Sequence, residues 1–85
     1  MQNIPLTRLG QALKSMRKAR GLTQIAVAQL SHLPRLKVIQ VERGDSRVSI
    51  AAYAEIARAL GGELAIVPVR RPTLEETREL FADAN

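Results

Sequence analysis

Residues 21–44, GLTQIAVAQLSHLPRLKVIQVERG, decide how the rest of the chain is read. They describe two short helices joined by a tight turn. Thr23 is a favourable N-cap just after the helix-stopping Gly21, and Gln24 falls in the first turn of the helix that follows. Val27 and Leu30, with the small Ala26 and Ala28, give that helix one compact apolar side. Ser31-His32-Leu33 is too short and too polar to continue the pattern. Pro34 restarts a helix at its first position, where a fixed φ is an advantage and the missing N–H would be unpaired in any case. Val38 and Val41 then face inward at i, i+3, and Gly44 closes the segment as a C-terminal glycine. Two helices joined by a turn of three or four residues make a helix-turn-helix.

With GLTQ, the three-residue turn and VERG twenty residues after GLTQ in place, the segment resembles the XRE family of DNA-binding domains, related to phage lambda and 434 repressors. The resemblance is unbroken from Gly21 to Gly44 and continues more weakly to Leu60; with flanking elements it covers Leu6 to Val69. It implies that the second helix enters the major groove of DNA. One departure stands in the turn, where the family usually has glycine and this chain has His32. Glycine suits a left-handed conformation there, and histidine visits that region more readily than most residues. The expected result is a locally strained turn within the same fold.

The chain has 85 residues, enough for one small domain, and no cysteine, so disulfide frameworks and thiolate metal sites are excluded. No apolar run approaches membrane-spanning length, which leads us to expect a soluble, cytoplasmic, nucleoid-associated protein. The net charge of +5 is unevenly placed. Residues 1–44 hold eight Lys and Arg against Glu42 alone, whereas residues 45–85 hold five Arg against seven carboxylates. A basic half that contains the helix-turn-helix is the electrostatic footprint of a phosphate-binding surface. The plainer reading is a solvated charged face.

Before this segment, Leu6, Leu9, Leu13 and Met16 form a core stripe on a helix running from Leu6 to Arg20. Lys14, Arg17, Lys18 and Arg20 gather towards its end, where cations suit the helix dipole; they are read as solvated in the free protein, with contact to DNA phosphates as the other reading for some of them. After it, Ser49 caps a helix in which Ile50, Tyr53, Ile56, Ala57 and Leu60 have helical spacing, ended by Gly61-Gly62. Residues 63–69 change character: Leu64, Ala65, Ile66 and Val67 precede Pro68 in a short, partly alternating run that reads as a strand. A lone strand needs a partner for its backbone, which points to the same strand of a second subunit; an extended tail on its own bundle is the other reading. Thr73 to Glu76 has capping-box spacing and opens a last helix to about Ala82. That helix reads either as a protein-binding surface or as a solvated tail.

The resulting expectation is an all-α, five-helix bundle with a C-terminal strand paired across a homodimer. Residues 1–62 form the DNA-binding domain, 63–69 the dimerisation strand and 70–85 a helical tail. For DNA, Gln24 at a helix N-terminus holds a phosphate. Pro34, Arg35, Leu36 and Lys37, with Gln40 one turn later, project into the groove. Arg35 is the choice for guanine, Gln40 for adenine or a phosphate, and Lys37 and Arg43 for phosphates. Leu36 and Ile39 stand where the family more often has polar residues. They contact thymine methyls, meet a protein, or pack locally. The only histidine, His32, is a turn residue, Glu42 supports packing beside an arginine, and no cysteine nucleophile, Gly-rich phosphate loop or metal-ligand spacing is present, so neither catalysis nor a cofactor is expected. The terminal strand resembles that of HipB-like antitoxins. This implies an autoregulating repressor on a palindromic operator, with a HipA-like kinase toxin as partner and a HigA-like role next. A protein-binding adaptor and a free-standing phage-type repressor are the alternatives.

Overall fold

The computed structural model describes residues 4–66, which form four helices: α1 (Ile4–Ala19), α2 (Gln24–Ser31), α3 (Arg35–Glu42) and α4 (Ile50–Ala59). The described residues are all-α, as expected, but the five-helix bundle with a strand is corrected to four helices and no strand. Residues 63–66 follow α4 without regular structure. A strand exists only through a hydrogen-bonded ladder, and no second strand stands beside this segment among the described residues. Leu64 instead packs its side chain against the helical core, so the apolar pattern there marks packing rather than pairing. Val67, Pro68 and Val69, the helix expected from Thr73 and the tail 70–85 lie outside the described residues.

Each helix begins and ends for a local reason. Thr23 is extended (φ −85°, ψ 165°), and its Oγ1 accepts the Ala26 N–H at 3.0 Å, closing the start of α2. His32 ends α2 in the left-handed region (φ 58°, ψ 33°), as its place in the turn requires. The Leu33 N–H then reaches back to the Ala28 carbonyl at 3.1 Å, the six-to-one bond of a Schellman ending. Pro34 is the N-cap of α3, extended at φ −62° and ψ 149°, one position earlier than expected. Ser49 occupies the N-cap of α4, but its side chain makes no capping hydrogen bond.

The core joins one face of every helix: Leu13 from α1, Val27 from α2, Val38 and Val41 from α3, and Tyr53 and Ile56 from α4 with Leu60 at its C-cap. Leu6, Leu9 and Met16 complete the α1 stripe as partly buried neighbours. Helix α2 lies centrally, packed on both α3 and α4, and α1 closes over α3. Two expected core residues are outside. Leu30 is exposed because the inner face of α2 is Val27, Ala28 and Ser31. Ser31 is tolerated there because its hydroxyl donates to the Val27 carbonyl at 2.7 Å. Ile50 is exposed at the first turn of α4, where Val48 fills the core position just before the helix.

Two glycines set how closely these helices approach. A side chain at Gly10 would collide with the carbonyls of Val41 and Glu42, so α1 crosses the end of α3 at a distance only glycine permits. Gly44 has φ 73°, and a Cβ there would lie 2.6 Å from the Thr7 Cα. Both contacts hold the C-terminal end of α3 against α1.

Candidate nucleic-acid interface

The site is built around a buried ion pair. Arg17 Nε donates to Glu42 Oε2 at 2.6 Å, Arg17 Nη2 donates to Glu42 Oε1 at 3.2 Å, and Arg17 Nη1 donates to the Leu22 carbonyl at 2.9 Å. The two side chains are only 11% and 6% exposed, so solvent screens the pair little. Arg17 was expected to be solvated. The sequence signal for its burial is its position four residues after Leu13, on the same face of α1. Glu42 pairs with an arginine, as read from the sequence, and through it α1 and α3 are tied together.

Gln24 joins this network from α2. Its Nε2 donates to Glu42 Oε1 at 3.1 Å, and its Oε1 accepts from Arg35 Nη2 at 3.5 Å, the outer limit of a hydrogen bond. The carboxamide is therefore oriented from within the protein. The start of α2 also carries N–H groups that no intrahelical carbonyl can reach, of which the Ala26 N–H is taken by Thr23 Oγ1. Lys14, Lys18, Thr23, Gln24 and Arg35 line an open cleft of about 570 Å³ at this helix end. Lys14 and Gln24 also line a second cleft of about 260 Å³ with Ile39, Glu42 and Arg43. Cations from α1 and α3 thus converge on the start of α2, where the helix dipole also favours an anion.

The outward face of α3 follows from its buried one. At about 100° per residue, Leu36 and Gln40, two positions either side of buried Val38, project roughly opposite it, and Arg43 continues the row. Arg35 and Ile39 lie on the flank nearer α2, and Lys37 lies on the other. Leu36 is 63% exposed. Gln40 is half-buried, and its Oε1 is buried with no hydrogen-bond partner among the described residues. A buried acceptor left in that state costs about 1–3 kcal/mol, which a rotation towards an outside donor would relieve.

The loop after α3 carries a second ion pair that the sequence reading did not single out. Arg47 donates to Asp45 through Nε at 3.1 Å, through Nη2 at 2.9 Å and through its backbone N–H at 2.9 Å. The hydrogen bonds from Arg47 hold the Asp45 carboxyl down at about 2, with the Lys37 charge adding to the effect, and Asp45 in turn raises the Arg47 guanidinium. The i, i+2 Asp-Arg spacing at a loop start was the available signal, since aspartate bonds backbone groups two residues on. Tyr53 anchors the loop from below, donating its hydroxyl to the Asp45 carbonyl at 2.9 Å; burial, then the Asp45 charge, raises its pKa.

Of the residues chosen from sequence, Gln24 and Arg35 are brought together, Arg43 joins them across the shared clefts, and Leu36 and Gln40 form the outward row. Lys37 flanks the row near Asp45, and Pro34 is exposed at the N-cap. Leu64, Ala65 and Ile66 stand apart in a separate apolar groove of about 640 Å³ with Leu9 and Ile50. Among the described residues no cluster of His, Cys, Asp and Glu could hold a metal ion, and no helix is long and apolar enough to cross a membrane.

Known proteins share this arrangement. A family model described as "Helix-turn-helix domain" matches residues 8–65. The chain is 38% identical over 55 residues to a Mycobacterium tuberculosis protein named as antitoxin HigA2, covering 64% of this chain and 54% of that one. It is 29% identical over 68 residues to the immunity repressor protein of Bacillus phage phi105, covering 80% and 47% respectively. The chain therefore spans about half the length of each. The crystal structure of the restriction-modification controller protein C.AhdI from Aeromonas hydrophila superimposes with a TM-score of 0.63 at 42% identity, covering 71% of this chain and 91% of that one. With its family match running from α1 through α4, the chain belongs to the helix-turn-helix domain family of DNA-binding transcription regulators.

Proposed function

We propose that the protein is a repressor that binds a palindromic operator as a homodimer. The observation that carries this is the outward surface of α3: Arg35, Leu36, Lys37 and Arg43 are exposed, Gln40 is half-buried between them and the core, and no carboxylate is exposed on the helix. In this reading Arg35 leaves Gln24 to make a bidentate contact with guanine, and Gln40 turns its unpaired oxygen to an adenine amino group. Lys37 and Arg43 contact phosphates, and the α2 terminus beside Gln24 receives another. Pro34 sets the entry of α3 and packs on the groove wall.

One helix-turn-helix touches too few bases for high specificity, so two copies bind half-sites about one DNA turn, roughly 34–36 Å, apart. The apolar groove of Leu9, Ile50, Leu64, Ala65 and Ile66 is the proposed contact between copies. Ile66 is 100% exposed and Ile50 63%, surface that a second copy would remove from water.

The regulatory role is that of an antitoxin controlling its own operon. The HigA2 relative favours a HigA-like pairing with a toxin over the HipB-like pairing with a HipA-like kinase expected from sequence. The phi105 relative favours a free-standing phage-type repressor as the second reading. The test is a titration of duplex DNA from low to physiological salt. Affinity should fall steeply as counterions are released, by about 0.9 in log–log slope per phosphate contacted. Arg35→Ala should relax preference at one operator position, and Lys37→Ala should weaken all sequences alike. A flat salt response, or no duplex binding, would replace this reading with the adaptor.

A further inference from the structure

We infer that Leu36 is a specificity residue that reads the 5-methyl group of a pyrimidine in the major groove, next to the base contacted by Arg35. The inference rests on the DNA-binding reading above and adds the chemistry of one more contact. Leu36 occupies the second position of α3, directly across the helix from Val38, which is 0% exposed, and is itself 63% exposed. A single exposed leucine is ordinary; its setting is not. Arg35 and Lys37 flank it in sequence, Gln40 and Arg43 follow along the same row, and the one carboxylate of α3, Glu42, is turned inward onto Arg17. An apolar tip surrounded by cations and amides complements a surface that is anionic at its edges and apolar at one point within. The major groove offers such a point only at the 5-methyl of thymine, or of a methylated cytosine. A protein partner would need an acidic rim around an apolar pocket, and the test separates that case.

The probe is a randomised duplex library, selected on the full chain and then copied with either thymidine or deoxyuridine triphosphate, which removes every methyl and changes no hydrogen-bonding group. Burying one methyl corresponds to about fourfold in affinity, so wild type should bind the thymine duplex about fourfold more tightly per half-site. Leu36→Ala should bind the thymine duplex as weakly as wild type binds the uracil one, with no further loss on uracil. Because Leu36 is exposed, this variant should melt with wild type. A parallel pair carrying cytosine or 5-methylcytosine at the sensitive step tells the two methyl sources apart; a gain on methylation assigns that source as well. Equal binding of thymine and uracil duplexes by wild type, with no gain from methylcytosine, would overturn the inference while leaving DNA binding in place. So would a Leu36→Ala protein that keeps the methyl preference, or one that binds all DNA as wild type does and leaves the residue to a protein partner. Failure of wild type to bind any duplex would sink the DNA-binding reading and this inference with it.

Discussion

Replacing Glu42 by alanine would remove three acceptor contacts at once: those from Arg17 Nε at 2.6 Å, Arg17 Nη2 at 3.2 Å and Gln24 Nε2 at 3.1 Å. The Arg17 side chain, 11% exposed, would keep only the Leu22 carbonyl as partner. Stranding a buried charge in this way costs about 3–5 kcal/mol, because desolvation has already occurred and the compensating carboxylate is gone. At roughly 4–8 °C per kcal/mol for a domain of this size, Glu42→Ala should lower Tm by at least about 12 °C. The companion variant Arg17→Met/Glu42→Leu removes both charges and fills the space with apolar atoms. It should recover most of that stability, since a buried ion pair is often no better than a packed hydrophobic pair. It should not recover DNA affinity, because Gln24 would have lost the carboxylate that orients it. Thermal unfolding by circular dichroism and a duplex titration measure the two separately. A Glu42→Ala loss below about 1 kcal/mol would show that water reaches Arg17 and that the pair is effectively a surface one.

Four further outcomes follow from particular residues. His32→Gly should gain about 0.5–1 kcal/mol in urea unfolding, since left-handed strain of about 1–2 kcal/mol is relieved and partly offset by the greater freedom of unfolded glycine. Gly10→Ala should lose at least about 2 kcal/mol, the upper part of the overpacking range, because the added carbon meets backbone of α3 that cannot rotate away. The Asp45 carboxyl, held at about 2 against an ordinary 3.8, favours the folded state when ionised. Its contribution is complete above pH 3.8 and disappears as pH falls through about 2, so the Tm gap between wild type and Asp45→Asn should close over that range. Tyr53 acts with the opposite sign: its raised pKa means its contribution is complete below pH 10 and is lost as pH rises from 10 through the folded pKa.

The sequence by itself determined the helix-turn-helix, because its signals are local. A capping threonine, a short polar turn that breaks the helical pattern, a proline at a helix start, valines at i, i+3 and a closing glycine each act within one or two turns of chain. Thr23, His32, Val38, Val41 and Gly44 all behave in the structure as those rules require. The outward row of α3 was equally legible, since fixing Val38 inward fixes Leu36 outward. Tertiary structure decided what depends on distant neighbours. Leu30 and Ile50 had suitable helical spacing but lie outside, because the inner faces of their helices were settled by Ser31 and Val48 instead. Residues 63–66 have a strand-like pattern, yet a strand is a property of two segments and only one is present among the described residues. Arg17 was read as one of four solvated cations, but it is buried because packing brings Glu42, 25 residues away, to 2.6 Å. Helical periodicity reports which residues share a face; whether that face meets water, apolar side chains or an opposite charge is set only when the helices pack.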